Sequence, residues 1–269
     1  MTAGAATGRP RERADRWRPW SLGVAVLALL VALAPPLATV ARRADYAAVL
    51  QLSLLAIVVP ALVTLGAPWR LVRLSRRGLG GQDTGPFDRL ADHRRRHREL
   101  VRSLAYIGAD LVAVVAWHTP KSVEAVARHG WPALFEALTL LLLGIGLWLE
   151  LVHSPPLAPR SGHLRRAVLT AVVMWVFWIL AYIMGLSNHT FYPNFHHATG
   201  GLSAAADQQI ASALFWFVAT AAFAPVIFWN AFMWLKTEDD PDTELMGLIR
   251  ADKRRGIPPW SGNGGSRPS

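Results

Sequence analysis

Hydrophobic positions in this chain do not alternate with polar ones. They gather in long unbroken runs, separated by short polar stretches rich in arginine. A helix that crosses a bilayer needs about 20 mostly apolar residues. Six runs reach or approach that length: residues 20–40, 46–69, 103–117, 131–152, 167–186 and 208–235. The pattern predicts an all-α fold, a polytopic transmembrane helix bundle of six spans occupying residues 20–235. The first run is interrupted by Pro35-Pro36, the third is short and carries Asp110, and the sixth contains Pro225. Membrane helices tolerate proline because neighbouring groups re-satisfy the freed backbone. The apolar core of the first run is longer than the roughly 7–15 residues of a secretory signal. It reads as an uncleaved anchor, and the small residues near Ala38 and Ala41 make only a weak cleavage site.

Lysine and arginine set the orientation, because loops rich in them stay cytoplasmic. With the N-terminus inside, segments 1–19, 70–102, 153–166 and 236–269 carry 24 of these residues. The opposite side carries four: Arg42, Arg43, Lys121 and Arg128. So lopsided a split supports six spans with both termini cytoplasmic. The segment 1–19 reads as a basic lead. The loop 70–102, with its run His93-Arg94-Arg95-Arg96-His97-Arg98, reads as a solvated stretch beside anionic lipid. The tail begins Glu238-Asp239-Asp240-Pro241, passes a short amphipathic piece at 243–255 and ends in Gly, Ser and Pro, a disordered composition.

Composition changes the picture little. Hydrophobic residues make up 52% and charged residues 17%, too little charge to cover a soluble surface. The net charge of +10 alone would suggest nucleic acid. Set beside apolar runs and without a binding motif, it points to anionic lipids and to no nucleic acid. Cysteine is absent, which excludes disulfides, thiolate zinc sites and iron–sulfur clusters. The Ala- and Arg-rich composition suggests a GC-rich bacterial source, which makes the inner membrane the expected compartment. Hydrolase, phosphate-loop and zinc-protease motifs are missing, as is the membrane-centred histidine pair of a bis-histidine haem protein. No internal repeat of the transporter kind is present.

Of the twelve tryptophans, Trp17, Trp20, Trp69, Trp117, Trp131, Trp148 and Trp234 fall near span ends, as an aromatic belt predicts. Trp175, Trp178 and Trp216 lie further in and read as packing residues. Candidate chemistry centres on the outward-facing histidines. The loop between the fifth and sixth spans has no Lys or Arg over 187–206, and carries His189, Tyr192, His196 and His197, with Asp207 just beyond. Neutral imidazole is a good copper or zinc ligand, and a loop without cations lowers the cost of holding a metal. His118, at the outer end of the third span, can meet this loop, and Met184 could add a thioether for cuprous ion. The alternative is that these histidines are interfacial polar residues. Asp110 inside the membrane calls for a partner, Asn230 being one candidate, or a functional role. Glu136, one turn into the fourth span, reads as snorkelling to the interface.

Ordered local patterns carry a resemblance. Leu65-Gly66-Ala67-Pro68 closes the second span after Pro60, and Trp117-His118-Thr119-Pro120 ends the third. Gly144 and Trp148 follow Trp131 and Glu136. Tyr192-Pro193 is followed by Leu202-Ser203 and Asp207-Gln208-Gln209-Ile210, with Trp216 inside the sixth span. Over roughly 46–235 the chain resembles the CtaG-type cytochrome c oxidase assembly factors associated with caa-type oxidases. The resemblance implies cytochrome c oxidase subunits as partners, copper as cargo and no catalysis. The chain departs from the family where a His-Met-x-x-His motif is met by Ala48-Val49-Leu50-Gln51-Leu52, and where Glu-His is met by Glu136-Ala137. The matching positions are His118, Tyr192, Asp207, Gln208 and Gln209. Asp207 also has a purely structural reading, as the N-cap of the sixth helix with Gln208 and Gln209 facing the interface.

Three functions follow. The first is an oxidase assembly factor handling copper at His118, His189, His196 and His197. The second is a metal-free scaffold for oxidase subunits. The third is a small-solute or proton transporter using Asp110.

Overall fold

A computed structural model of the protein describes residues 17–70, 86–96, 100–157, 159, 161–187, 190–192, 195 and 202–238. Those residues are helical apart from connections and one isolated bridge between Ser154 and Leu157. Helices α1 (Arg18–Leu33) and α2 (Pro35–Val40) form the first span. The second is α3 (Asp45–Ser53), a π-helical turn (Leu54–Val58) and α4 (Val59–Gly66). After α5 (Pro86–Arg96) come α6 (Leu100–Trp117), the short α7 (Pro120–Arg128), α8 (Gly130–Leu151), α9 (His163–Gly185) and α10 (Ala204–Glu238). Among the described residues six helices are long and apolar enough to cross a membrane: Arg18–Val40, Asp45–Gly66, Leu100–Trp117, Gly130–Leu151, His163–Gly185 and Ala204–Lys236. The six-span all-α expectation therefore holds, with the third, fifth and sixth spans starting a few residues earlier than hydropathy places them.

Prolines explain the breaks. Ala34 precedes Pro35, which disfavours the helical region for it. It sits extended at φ −68°, ψ 147°, and the helix restarts at Pro35. Pro60 has no amide to donate to the Ala56 carbonyl, and the second span widens into the π turn just before it. Gly144 of the fourth span packs against this spot. A β-carbon there would lie 2.7 Å from the Ala56 carbonyl oxygen and 2.7 Å from Pro60 Cγ, so only glycine allows the approach. Ala67 then ends the span in the left-handed region at φ 51°, its amide closing on Val63.

The second span is the most enclosed, packing on the first, fourth and sixth. The fifth and sixth pair along their length. A column of rings runs through the core from His118 to Phe215 (4.8 Å between centroids), Phe177 (5.3 Å), Phe223 (5.5 Å) and Trp148 (5.1 Å). Trp148 lies parallel to Phe223, stacked in the core, and Trp69 is buried with its indole N–H on the Pro155 carbonyl at 2.9 Å. Neither belongs to an interfacial belt, whereas Trp20 and Trp131 stay exposed at span ends. Trp175 and Trp216 are exposed as well, flanking Trp178 on the bundle's outer surface rather than packing inside.

The basic loop is also corrected. Pro86–Arg96 is a helix, and Arg94 is buried rather than solvated. Its guanidinium sits 2.9 Å from Glu150 at the end of the fourth span and donates to the Leu149 carbonyl, while Ser103 Oγ donates to the other Glu150 oxygen at 2.8 Å. An ion pair inside a membrane domain is tolerated only when its remaining polar atoms are satisfied, and this one is nearly so.

Candidate functional site

The site lies at the end of the bundle where the second, third and sixth spans meet. His118 follows the last turn of α6, half-buried with its ring against Phe215. Its Nδ1 is 2.7 Å from the Val114 carbonyl. A carbonyl only accepts, so Nδ1 carries the proton and Nε2 keeps a bare lone pair. Nε2 has no hydrogen-bond partner among the described residues. Burial pushes the imidazole below the ordinary histidine value, against the pull of the Val114 carbonyl, and the ring is neutral near pH 7.

His118 borders a cavity of about 80 Å³ that is also lined by Arg42, Asp45, Gln51, Glu136 and Tyr192. Glu136 thus faces this cavity instead of snorkelling outward. Tyr192 donates from its hydroxyl to the His118 carbonyl at 3.0 Å, fastening the segment after the fifth span to the third. Burial, with the Asp45 charge behind it, pushes that hydroxyl above the ordinary tyrosine range, so it stays a donor. Gln51 reaches the other way, to the Ala32 carbonyl at 2.8 Å.

Asp207 does not cap its own helix. The sixth helix begins at Ala204, and Ser203 caps it by accepting from the Ala206 amide at 3.2 Å. Asp207 instead accepts from the amides of Asp45 (2.8 Å) and Tyr46 (3.0 Å), the first turn of the second span. Four amides are left open at any helix N-terminus, and a carboxylate there satisfies both charge and hydrogen bonding. Gln208, expected at the interface, is buried; it accepts from the Phe191 amide at 2.9 Å and donates to the Met184 carbonyl at 2.7 Å. Gln209 is exposed. Met184 is buried in the apolar core and does not line the His118 cavity.

The remaining candidates separate. His189, His196 and His197 lie outside the described residues. Among the described residues no three His, Asp or Glu side chains come together as a metal site. Asn230 contacts His163 at 3.1 Å and not Asp110, whose carboxylate oxygens are buried without a hydrogen-bond partner among the described residues.

A family model for the cytochrome c oxidase caa3 assembly factors (Caa3_CtaG) matches residues 2–237. The chain belongs to that family. Comparison with curated proteins and with solved structures gave no match. This caa3 assembly factor is therefore a multi-pass membrane protein of the oxidase assembly class, and the site must be read in that light. Hydropathy and motif reading singled out His118, Tyr192, Asp207 and Gln208, which the structure places at this end of the bundle. It missed Asp45 and Glu136 as joint neighbours of His118, and it missed the Arg94–Glu150 pair. Glu150 did carry a signal, since it is an acid inside an otherwise apolar run, where ionisable residues need partners.

Proposed function

We propose that this assembly factor acts in the bacterial inner membrane with its His118 end outward, and that it holds copper there as cargo on the way to the oxidase. The observation that carries this reading is the state of His118. Its Nδ1 proton is pinned to a backbone carbonyl and its Nε2 lone pair is open, the arrangement that orients a metal-ligating imidazole. One imidazole does not complete a site. Tyr192, bonded to the His118 carbonyl, anchors the segment whose sequence neighbours include His189, His196 and His197, and these supply the further nitrogen ligands. Imidazole nitrogens suit copper as a ligand set. No bond in any substrate is made or broken; the role is binding and transfer.

A second reading, a metal-free scaffold, is favoured by Asp207 and Gln208, which spend their polar atoms on the backbone of neighbouring elements. The two are told apart in a strain lacking the protein, complemented with the His118→Ala/His196→Ala/His197→Ala variant. If copper is handled here, oxidase subunits accumulate but lack copper and activity. Full oxidase activity with the triple variant leaves the scaffold.

A further inference from the structure

At the far end of the bundle from His118 lies a chamber of about 950 Å³ between the first, second, fourth, fifth and sixth spans. Its walls are apolar, with Val58, Leu62, Trp148, Phe217 and Trp229 among them. Its polar groups are Arg18, His153, His163, Arg166 and Asn230. On the sixth span the lining runs from Phe217 to Asn230, roughly 20 Å of helix. That exceeds the ~15 Å hydrocarbon depth of one leaflet.

Arg166 is the decisive residue. It is about nine-tenths buried in the first turn of α9. Its Nη2 lies 2.9 Å from His163 Nδ1, a neutral or cationic neighbour, and its Nε has no hydrogen-bond partner among the described residues. No Asp or Glu is among the described residues lining the chamber. A buried guanidinium without an anion is costly. Burial and the charges of Arg166 and Arg18 together push His153 below the ordinary histidine value, so both guanidinium fields reach one point. Arg18, half-buried, itself also donates to the Leu65 carbonyl at 2.9 Å.

From this arrangement we infer that the chamber is a binding site for one anionic phospholipid, its phosphate on Arg166 with Arg18 alongside and its acyl chains between the second and sixth spans. The shape is amphiphilic in the right sense: cationic groups sit where the first and fifth spans begin, and apolar walls extend from there into the bilayer depth. A guanidinium presents paired N–H donors matched to phosphate oxygens, and basic pockets between membrane helices suit anionic headgroups. A free phosphate ion offers the same headgroup chemistry but leaves the apolar walls unfilled.

The test uses the full chain purified in neutral detergent, stripped of lipid, then given phosphatidylglycerol or phosphatidylcholine with identical acyl chains. Bound lipid is counted by native mass spectrometry. One phosphatidylglycerol per chain is expected, with retention weakened about tenfold or more in Arg166→Gln and phosphatidylcholine not retained. Ala221→Trp, which fills the chamber and leaves Arg166 in place, is expected to lose the lipid while eluting as the wild type does on size exclusion. Glycerol 3-phosphate at millimolar concentration should not displace the lipid. Equal retention of both lipids, or undiminished phosphatidylglycerol in both variants, overturns the inference. So does saturable phosphate binding without lipid binding.

Discussion

The carboxylate of Asp207 lies 2.8 Å from the backbone amide of Asp45, so the sixth span closes the N-terminus of the second. The residue does for a neighbouring helix what capping residues ordinarily do for their own. It ties the most enclosed span of the bundle to the longest one, next to the His118 cavity.

Loss of this cap has a defined cost. Asp207→Ala should lower stability by about 1–2 kcal/mol, and thermal unfolding in detergent should come several degrees earlier. Asp207→Asn keeps an acceptor and should fall between the two. Size-exclusion profiles after heating read the difference; an unchanged midpoint for the alanine variant contradicts the cap.

The Arg94–Glu150 pair should behave as a unit. Removing one partner leaves a buried charge, so Glu150→Gln or Arg94→Met alone should destabilise by about 3–5 kcal/mol. The double variant should cost clearly less than the two singles combined. A double-mutant cycle on unfolding midpoints measures this, and additivity would show that the two groups are not coupled.

Gly144 brings the fourth span against the backbone of the second. Gly144→Ala places a β-carbon 2.7 Å from the Ala56 carbonyl oxygen and from Pro60. Forcing the second and fourth spans apart should cost about 1–3 kcal/mol, read as reduced yield of monodisperse protein. Gly23, with nothing within 4 Å of a β-carbon, is the control and should accept alanine without loss.

His118 predicts a pH dependence. Its folded pKa lies below the unfolded value of about 6.5. Below that value the unfolded chain binds a proton that the folded chain refuses, so stability falls as pH drops from 7. His118→Phe removes the titrating group, and its unfolding midpoint should fall less between pH 7 and pH 5 than that of the wild type.

Six spans were legible in the sequence because length and apolarity decide membrane crossing, and neither depends on which helices touch. The Pro35 break and the continuous helix through Pro225 follow from local chemistry or its rescue by neighbours. The partners of polar residues were not legible. Asp207 stands at the start of a helix, and a local reading assigns it to that helix; its real partner is 162 residues away. Arg94 sits in a run of like charges that reads as solvated until the fourth span brings Glu150 against it. Trp148 and Trp69 lie at span ends by position, yet packing turns them inward. His118 was found by its place in a short motif, but the open Nε2 and the cavity shared with Asp45 and Glu136 appear only once three spans are assembled.

Copper content tests the central claim most directly. The protein is purified in detergent from cells supplied with copper, beside the His118→Ala/His196→Ala/His197→Ala variant, and copper and zinc are quantified by inductively coupled plasma mass spectrometry. Copper near one equivalent per chain, lost in the variant, is the predicted result. No metal in either protein, or equal copper in both, would contradict the copper reading and leave the assembly factor as a scaffold.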